Sequence, residues 1–305
     1  MTIKKPKGLV FGGGGAKGIY QIGYLKGLRD KSQKDPFENV QYVSGTSIGT
    51  IIITLLMYNF WDLDHDYISD LTEIINFSDY KLFLRFGLGL FPFLFGFSNG
   101  ILDNNKVIYK NLLKLVKTKS PNSTPSGNLE KVFFTSTQIS ENTIKTFEFN
   151  PREMKGFLYE TFNIVRTATA SSNIPVLFKP YSVLTQVPKT IHNPQIRYYY
   201  DGGLTQNLPI EPLLGKGLKQ IDVLSLDYPE IEIKQGLGIF DTILNLTVQT
   251  GDEWSKKDFI QNPEDKKTKI NFIYPKRNLG SLINFSKTNL DILFKLGYDE
   301  GFNAI

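Results

Sequence analysis

The sequence predicts an α/β protein built on a mostly parallel sheet, and three observations carry that reading. Two strand–glycine turn–helix units fall within the first sixty residues. Further apolar strand candidates recur at 131–139, 197–200, 221–226 and 270–274, with helical patterns among them. The hydrophobic fraction of 41% over 305 residues is ample for a packed core and argues against disorder.

The elements follow in order. Residues 7–11 read as the first strand, and the glycine run Gly12 to Gly15 turns it into a helix over 16–30. Residues 35–37 make a loop. Residues 40–43 form a second strand, followed by Gly45-Thr46-Ser47-Ile48-Gly49 and an apolar helix over 51–57. A polar-faced helix begins over 61–66, and 80–97 is dense in Phe, Leu and Gly, with Pro92 interrupting it. Asp103 or Asn104 caps a helix running to Lys117. That helix has Ile108, Leu112 and Leu115 on one face and Lys106, Lys110, Lys114 and Lys117 on another. The Pro-, Ser- and Thr-rich stretch 120–128 is a loop. Strands at 131–139 and 143–149 join at Glu141-Asn142. A helix spans 161–171, the strand at 197–200 runs into Asp201-Gly202-Gly203, and a closing helix lies within 282–303. No internal repeat or domain boundary is visible. Residues 1–305 read as a single domain in which 61–128 is a cap or lid insertion.

Composition narrows the function. With no cysteine, disulfides, thiolate metal sites and cysteine nucleophiles are excluded, and a reducing compartment is permitted. The basic start is followed by too short an apolar stretch for a signal peptide. No run approaches the ~20 apolar residues of a transmembrane helix. The net charge of +5 suits an anionic membrane surface or a nucleic acid, but its dispersion along the chain speaks against nucleic acid. The expectation is a cytoplasmic protein with peripheral membrane association.

The chemistry concentrates in three blocks. Gly45 and Gly49 flank Ser47 between an apolar strand and a helix, the pattern of a nucleophile elbow. Gly13-Gly14-Gly15-Ala16-Lys17-Gly18 presents backbone N–H groups at a helix start, suited to a phosphate or to the oxyanion of an acyl intermediate. It is a poor dinucleotide fingerprint, because no acidic residue ends the second strand. It is not a phosphate-binding Walker loop either, because Gly18 follows Lys17. A serine nucleophile needs a base. The only histidines, His65 and His192, sit in polar contexts that read as surface. Asp201, ending an aromatic strand and followed by Gly202-Gly203, is the better candidate, although Asp-Gly-Gly alone also reads as a turn.

These residues resemble the patatin-like phospholipase family, serine lipid acyl hydrolases with a Ser–Asp dyad. Gly13 to Gly18 is similar to the family's glycine-rich oxyanion loop, with Lys17 in its basic position, and Gly45 to Gly49 to its Gly-x-Ser-x-Gly. Asp201-Gly202-Gly203, continuing through Asn207-Leu208-Pro209, resembles its Asp-Gly-Gly/Ala block. Ala168-Thr169-Ala170-Ser171-Ser172-Asn173-Ile174-Pro175, with Phe178 and Pro180, resembles its Ala-Ser-x-x-x-Pro segment, and 296–301 resembles a closing helix of bacterial members. The resemblance implies a three-layer α/β/α fold and a two-step hydrolysis of (lyso)phospholipid acyl esters. Ser47 is the nucleophile, Asp201 the general base, and Gly13, Gly14 and Gly15 the oxyanion hole. Ala16, Lys17, Gly18, Gly45, Gly49, Gly202 and Gly203 support these motifs. The scheme needs no metal ion and no cofactor. The implied partners are a lipid substrate and a phospholipid membrane surface, with no nucleic acid; a protein activator stays open. Two other readings stand beside it: a small-ester hydrolase using a Ser-Asp-His triad through His192, and a non-catalytic membrane- or nucleotide-binding protein that keeps the fold. The apolar stretch 80–97 suits a lid or interfacial anchor, or a buried cap.

Overall fold

The computed structural model describes residues 6–75, 103, 105–118, 129–139, 143–151, 158–175, 177–184, 196–228 and 268–305. The apolar stretch at 80–97, the 120–128 loop, the Glu141-Asn142 joint and His192 lie outside the described residues.

Eight strands form one sheet: β1 (Lys7–Phe11), β2 (Val40–Thr46), β3 (Lys131–Gln138), β4 (Thr143–Phe149), β5 (Tyr181–Leu184), β6 (Ile196–Asp201), β7 (Gln220–Leu224) and β8 (Lys269–Ile273). The order is β5-β6-β3-β2-β1-β7-β8, with β4 also paired to β3. The pairs from β3 through β2, β1 and β7 to β8 are parallel, whereas β4, β5 and β6 join antiparallel. This is the mixed, mostly parallel sheet expected.

The helices are α1 (Ile19–Ser32), α2 (Ile48–Tyr58), α3 (Tyr67–Ile74), α4 (Lys110–Thr118), α5 (Leu158–Ser171) and α6 (Lys287–Phe302). The central strands β1, β2 and β3 are buried along most of their length, as central strands of a layered α/β fold must be, whereas β4 and β8 are half-exposed. Along β1, Leu9 and Phe11 join the core under α1, α2, α5 and α6. Val10 faces the other way, toward Leu208, Ile210, Leu213 and Leu218 around the 3-10 turn Glu211–Leu213. Helical segments therefore cover both faces, giving the three-layer arrangement.

Several boundaries differ from the sequence reading. The first helix does not begin at residue 16: Gly15–Gly18 is a 3-10 turn, and Ala16 gives its N–H to the distant Leu282 carbonyl at 2.7 Å before α1 starts. The helix read over 61–66 begins instead at Tyr67, because the Asp66 carboxylate caps it by accepting the Ser69 N–H at 3.0 Å. The helix ending near Lys117 opens with a π-helical turn over Asn105–Tyr109. On its basic face Lys114 pairs with Glu73 at 3.1 Å, and the Lys117 ammonium sits 4.6 Å from the Phe162 ring centre. The strand β5 lies in a stretch to which the sequence reading assigns no element.

Candidate active site

β3 organises the site. Its residues 132–138 pair with β4 along one edge. On the other edge 131–135 pair with β2, and 136–138 pair with β6. Two strands running in opposite senses thus abut on one edge of β3. Thr46, the last residue of β2, pairs with Thr135, and Asp201, the last of β6, pairs with Ser136 next to it. The sheet therefore delivers Ser47 and Asp201 to the same point from 154 residues apart.

Ser47 turns β2 into α2 with φ 54 and ψ −127, a conformation that L-residues avoid and that costs of order 1–3 kcal/mol. The turn closes because Gly45 and Gly49 bear no Cβ. One on Gly49 would overlap the Phe11 carbonyl oxygen of β1, and one on Gly45 would lie 3.0 Å from the Gly49 carbonyl carbon. The elbow is strand–turn–helix as read, with the strand running on to Thr46 rather than ending at 43 and the helix starting at Ile48 rather than 51.

The Ser47 hydroxyl donates to Asp201 Oδ2 at 2.6 Å, and both side chains are buried. Asp201 Oδ1 accepts the Gly203 N–H at 2.8 Å. Gly202 is held against β3, where a Cβ would overlap the Thr135 carbonyl oxygen. Burial pushes the Asp201 carboxyl up to about 7, while the Ser47 hydroxyl and the Gly203 N–H pull it back down. A carboxylate titrating near neutrality next to a serine hydroxyl is suited to take and return a proton.

The glycine loop lies beside this pair. A Cβ on Gly13 would lie 3.0 Å from Ser47 Cβ and overlap Asn207 Oδ1, so glycine suits the loop's close approach to the serine. Asn207 clasps Gly13: its carbonyl accepts the Gly13 N–H at 3.2 Å and its Nδ2 donates to the Gly13 carbonyl at 3.4 Å. Gly14 and Gly15 take left-handed φ of 157 and 56. Among the described residues no acceptor bonds their N–H groups, while Gly13, Ala16 and Lys17 already donate. Lys17 is buried within the 3-10 turn that Gly18 completes.

A small, partly open apolar cleft lies beside Ser47. Ile48 and Ile51 of α2, Ile75, Ile108, Leu177 and Phe178 line it, together with Leu282, Ile283 and Phe285 near the C-terminus; Gly15 and Ser172 also border it. Its lining is almost wholly apolar. The sequence did not single out the 282–285 wall. Neither did it give roles to Ser171, Asn173 and Asn207, although the motif blocks contain them. Of the histidines, His65 Nε2 lies 2.8 Å from Asp70 Oδ2.

Fold and site together define a layered α/β protein with a Gly-x-Ser-x-Gly turn between strand and helix, its serine hydrogen-bonded to a buried carboxyl. The family model for patatin-like phospholipase matches residues 9–214, and the chain belongs to that family. Membership supports a lipid hydrolase. No curated protein sequence matches. Among solved structures, human GIVD cytosolic phospholipase A2 aligns with a TM-score of 0.50 at 13% identity, covering 98% of this chain and 58% of that one. VipD from Legionella pneumophila aligns at 0.46 and 16% identity, with 98% and 66% covered. The type III effector protein ExoU aligns at 0.33 and 15%, with 98% and 52% covered. The chain thus spans roughly half to two thirds of these proteins' lengths. The likeness to the human enzyme shows a shared fold. Among the described residues no helix is long and apolar enough to cross a membrane.

Proposed function

We propose that the chain hydrolyses fatty-acyl esters of phospholipids or lysophospholipids at a membrane surface, through a Ser47 acyl-enzyme with Asp201 as general base. The observation that carries this reading is the 2.6 Å hydrogen bond from Ser47 Oγ to Asp201 at a strained elbow. Ser47 Oγ attacks the ester carbonyl as its proton passes to the Asp201 carboxylate. The protonated Asp201 then gives that proton to the departing alcohol. Water attacks the acyl-enzyme, loses a proton to Asp201, and the fatty acid leaves as Ser47 is reprotonated. In this scheme the N–H groups of Gly14 and Gly15 serve the oxyanion, because that of Gly13 is engaged by Asn207. Each such donor is worth about 3–4 kcal/mol. The apolar volume beside Ser47 takes the acyl chain, which explains a lining with almost no polar partner for a substrate.

The deciding experiment is product analysis by mass spectrometry after incubating wild type and Ser47→Ala with mixed-lipid vesicles. Free fatty acid with its matching lysolipid or glycerophospho-alcohol is expected from wild type, falling by at least about 10⁴-fold in Ser47→Ala. Equal release by the two proteins overturns the assignment.

A further inference from the structure

Ser47 and Asp201 are held by a segment to which neither belongs. The Ser47 N–H donates to Ser171 Oγ at 2.8 Å, and that hydroxyl donates onward to the Thr135 carbonyl at 2.6 Å. Thr135 is the β3 residue paired with Thr46 and the one against which Gly202 packs. Two residues further on, Asn173 grips β6. Its carbonyl accepts the Asp201 N–H at 3.0 Å, and its Nδ2 donates to the carbonyls of Tyr199 at 3.2 Å and Lys179 at 2.8 Å. Ser171 and Asn173 are both fully buried. Ser171 also departs from the habit of a helical serine, which bonds back to the carbonyl four residues earlier. Its neighbour Ser172 does that, donating to Ala168 at 2.9 Å. Ser171 instead reaches across to two other elements.

We propose that residues 171–173 are the positioning bracket of the pair: Ser171 fixes the backbone of Ser47, Asn173 fixes the strand end carrying Asp201, and the end of α5 between them sets the Ser47–Asp201 separation. This rests on the Ser–Asp chemistry proposed above. The strain at Ser47 gives the bracket its purpose, because an unfavourable φ persists only where surrounding bonds over-determine it. Ser171 and Asn173 are positioning residues and touch no reacting atom.

The test uses Ser171→Ala and Asn173→Ala beside wild type and Ser47→Ala, with lysophosphatidylcholine micelles as substrate. Functional sites are counted by fluorophosphonate labelling. Ser171→Ala is expected to lower kcat per labelled site by about 30- to 100-fold while KM stays within about twofold, the signature of misplaced reacting groups. Its acid limb should also move to higher pH. Among the described residues only the Ser47 hydroxyl and the Gly203 N–H hold the Asp201 carboxyl down against burial, and a displaced Ser47 no longer does so. Should Ser171→Ala not fold, Asn173→Ala keeps the backbone grip on Asp201 and carries the same three readouts with a smaller loss. Fewer labelled sites with wild-type kcat per site and an unmoved acid limb would mean a purely structural role and overturn the bracket. If Ser47→Ala is inactive while both variants keep wild-type kcat per site, only the bracket falls. If Ser47→Ala stays active, the underlying chemistry falls.

Discussion

Glycine brings backbone onto backbone in two regions of this molecule, with opposite consequences. At the elbow, Gly45 and Gly49 let β2, α2 and β1 close around a serine held at φ 54, with a buried carboxyl against it. Between α1 and α6, the positions Gly27 and Gly297 let two ordinary helices approach until carbonyls of one lie against Cα atoms of the other. A Cβ on Gly27 would overlap the Tyr298 carbonyl oxygen, and one on Gly297 the Tyr20 carbonyl oxygen. The helix seam carries no strained φ, and its buried polar pair, the Tyr20 hydroxyl donating to Glu300 at 2.8 Å, ties the two helices together. The same residue type therefore frames a strained serine in one place and removes empty space in the other. Damage at the elbow should appear as lost turnover in a stable protein, and damage at the seam as lost stability in a competent one.

The sharpest way to break that contrast is Asp201→Asn. It should lower kcat by about 10²–10⁴-fold, because the amide cannot accept the Ser47 proton, while the protein remains folded by circular dichroism. Stability should even rise, and the sign follows from the raised carboxyl. In the unfolded chain it ionises near 3.8, in the folded chain near 7. Its contribution is fully present below 3.8 and is lost as pH climbs through about 7, because the folded state holds the charged form poorly. Asp201→Asn removes that loss, so its melting temperature should exceed the wild-type value most clearly above pH 7. A variant melting well below wild type there would show Asp201 to be a structural anchor.

The seam supplies the converse. Gly27→Ala places a methyl group against backbone that only a shift of α1 from α6 can relieve, at a cost of about 1–3 kcal/mol. Its melting temperature should fall by several degrees while kcat per labelled site stays within about twofold of wild type, as expected for distant sites. Loss of kcat per site would join the two regions into one mechanical unit.

What the sequence disclosed follows the same division. The elbow and the glycine loop were legible because their geometry is local: small residues at fixed offsets between a strand and a helix. Asp201 was legible through the two glycines after it. The start of α1 was misplaced because the Leu282 carbonyl, far along the chain, takes the Ala16 N–H and holds Gly15–Gly18 as a 3-10 turn. The strand β5 is four residues long after Pro180, and it is a strand because β6 pairs with it. Ser171 and Asn173 sat in a recognised block, yet their purpose depends on the partners Ser47, Thr135 and Asp201, which only the folded sheet brings to them.

A smaller effect is expected from pH alone. The wild-type kcat/KM should rise tenfold per pH unit on the acid side and level off above about 7, where Asp201 is the free carboxylate. A histidine base would place its limb in nearly the same range, so the profile needs a partner experiment. That experiment is His192→Ala, for which the smallest change is expected. The Ser47 hydroxyl already spends its one proton on Asp201 at 2.6 Å, and a hydroxyl has no second donor for an imidazole. If Asp201 is the base, His192→Ala keeps wild-type kcat and its limb near 7. A loss of about 10²-fold or more with the limb abolished would move the proton to histidine and reduce Asp201 to its orienting carboxylate.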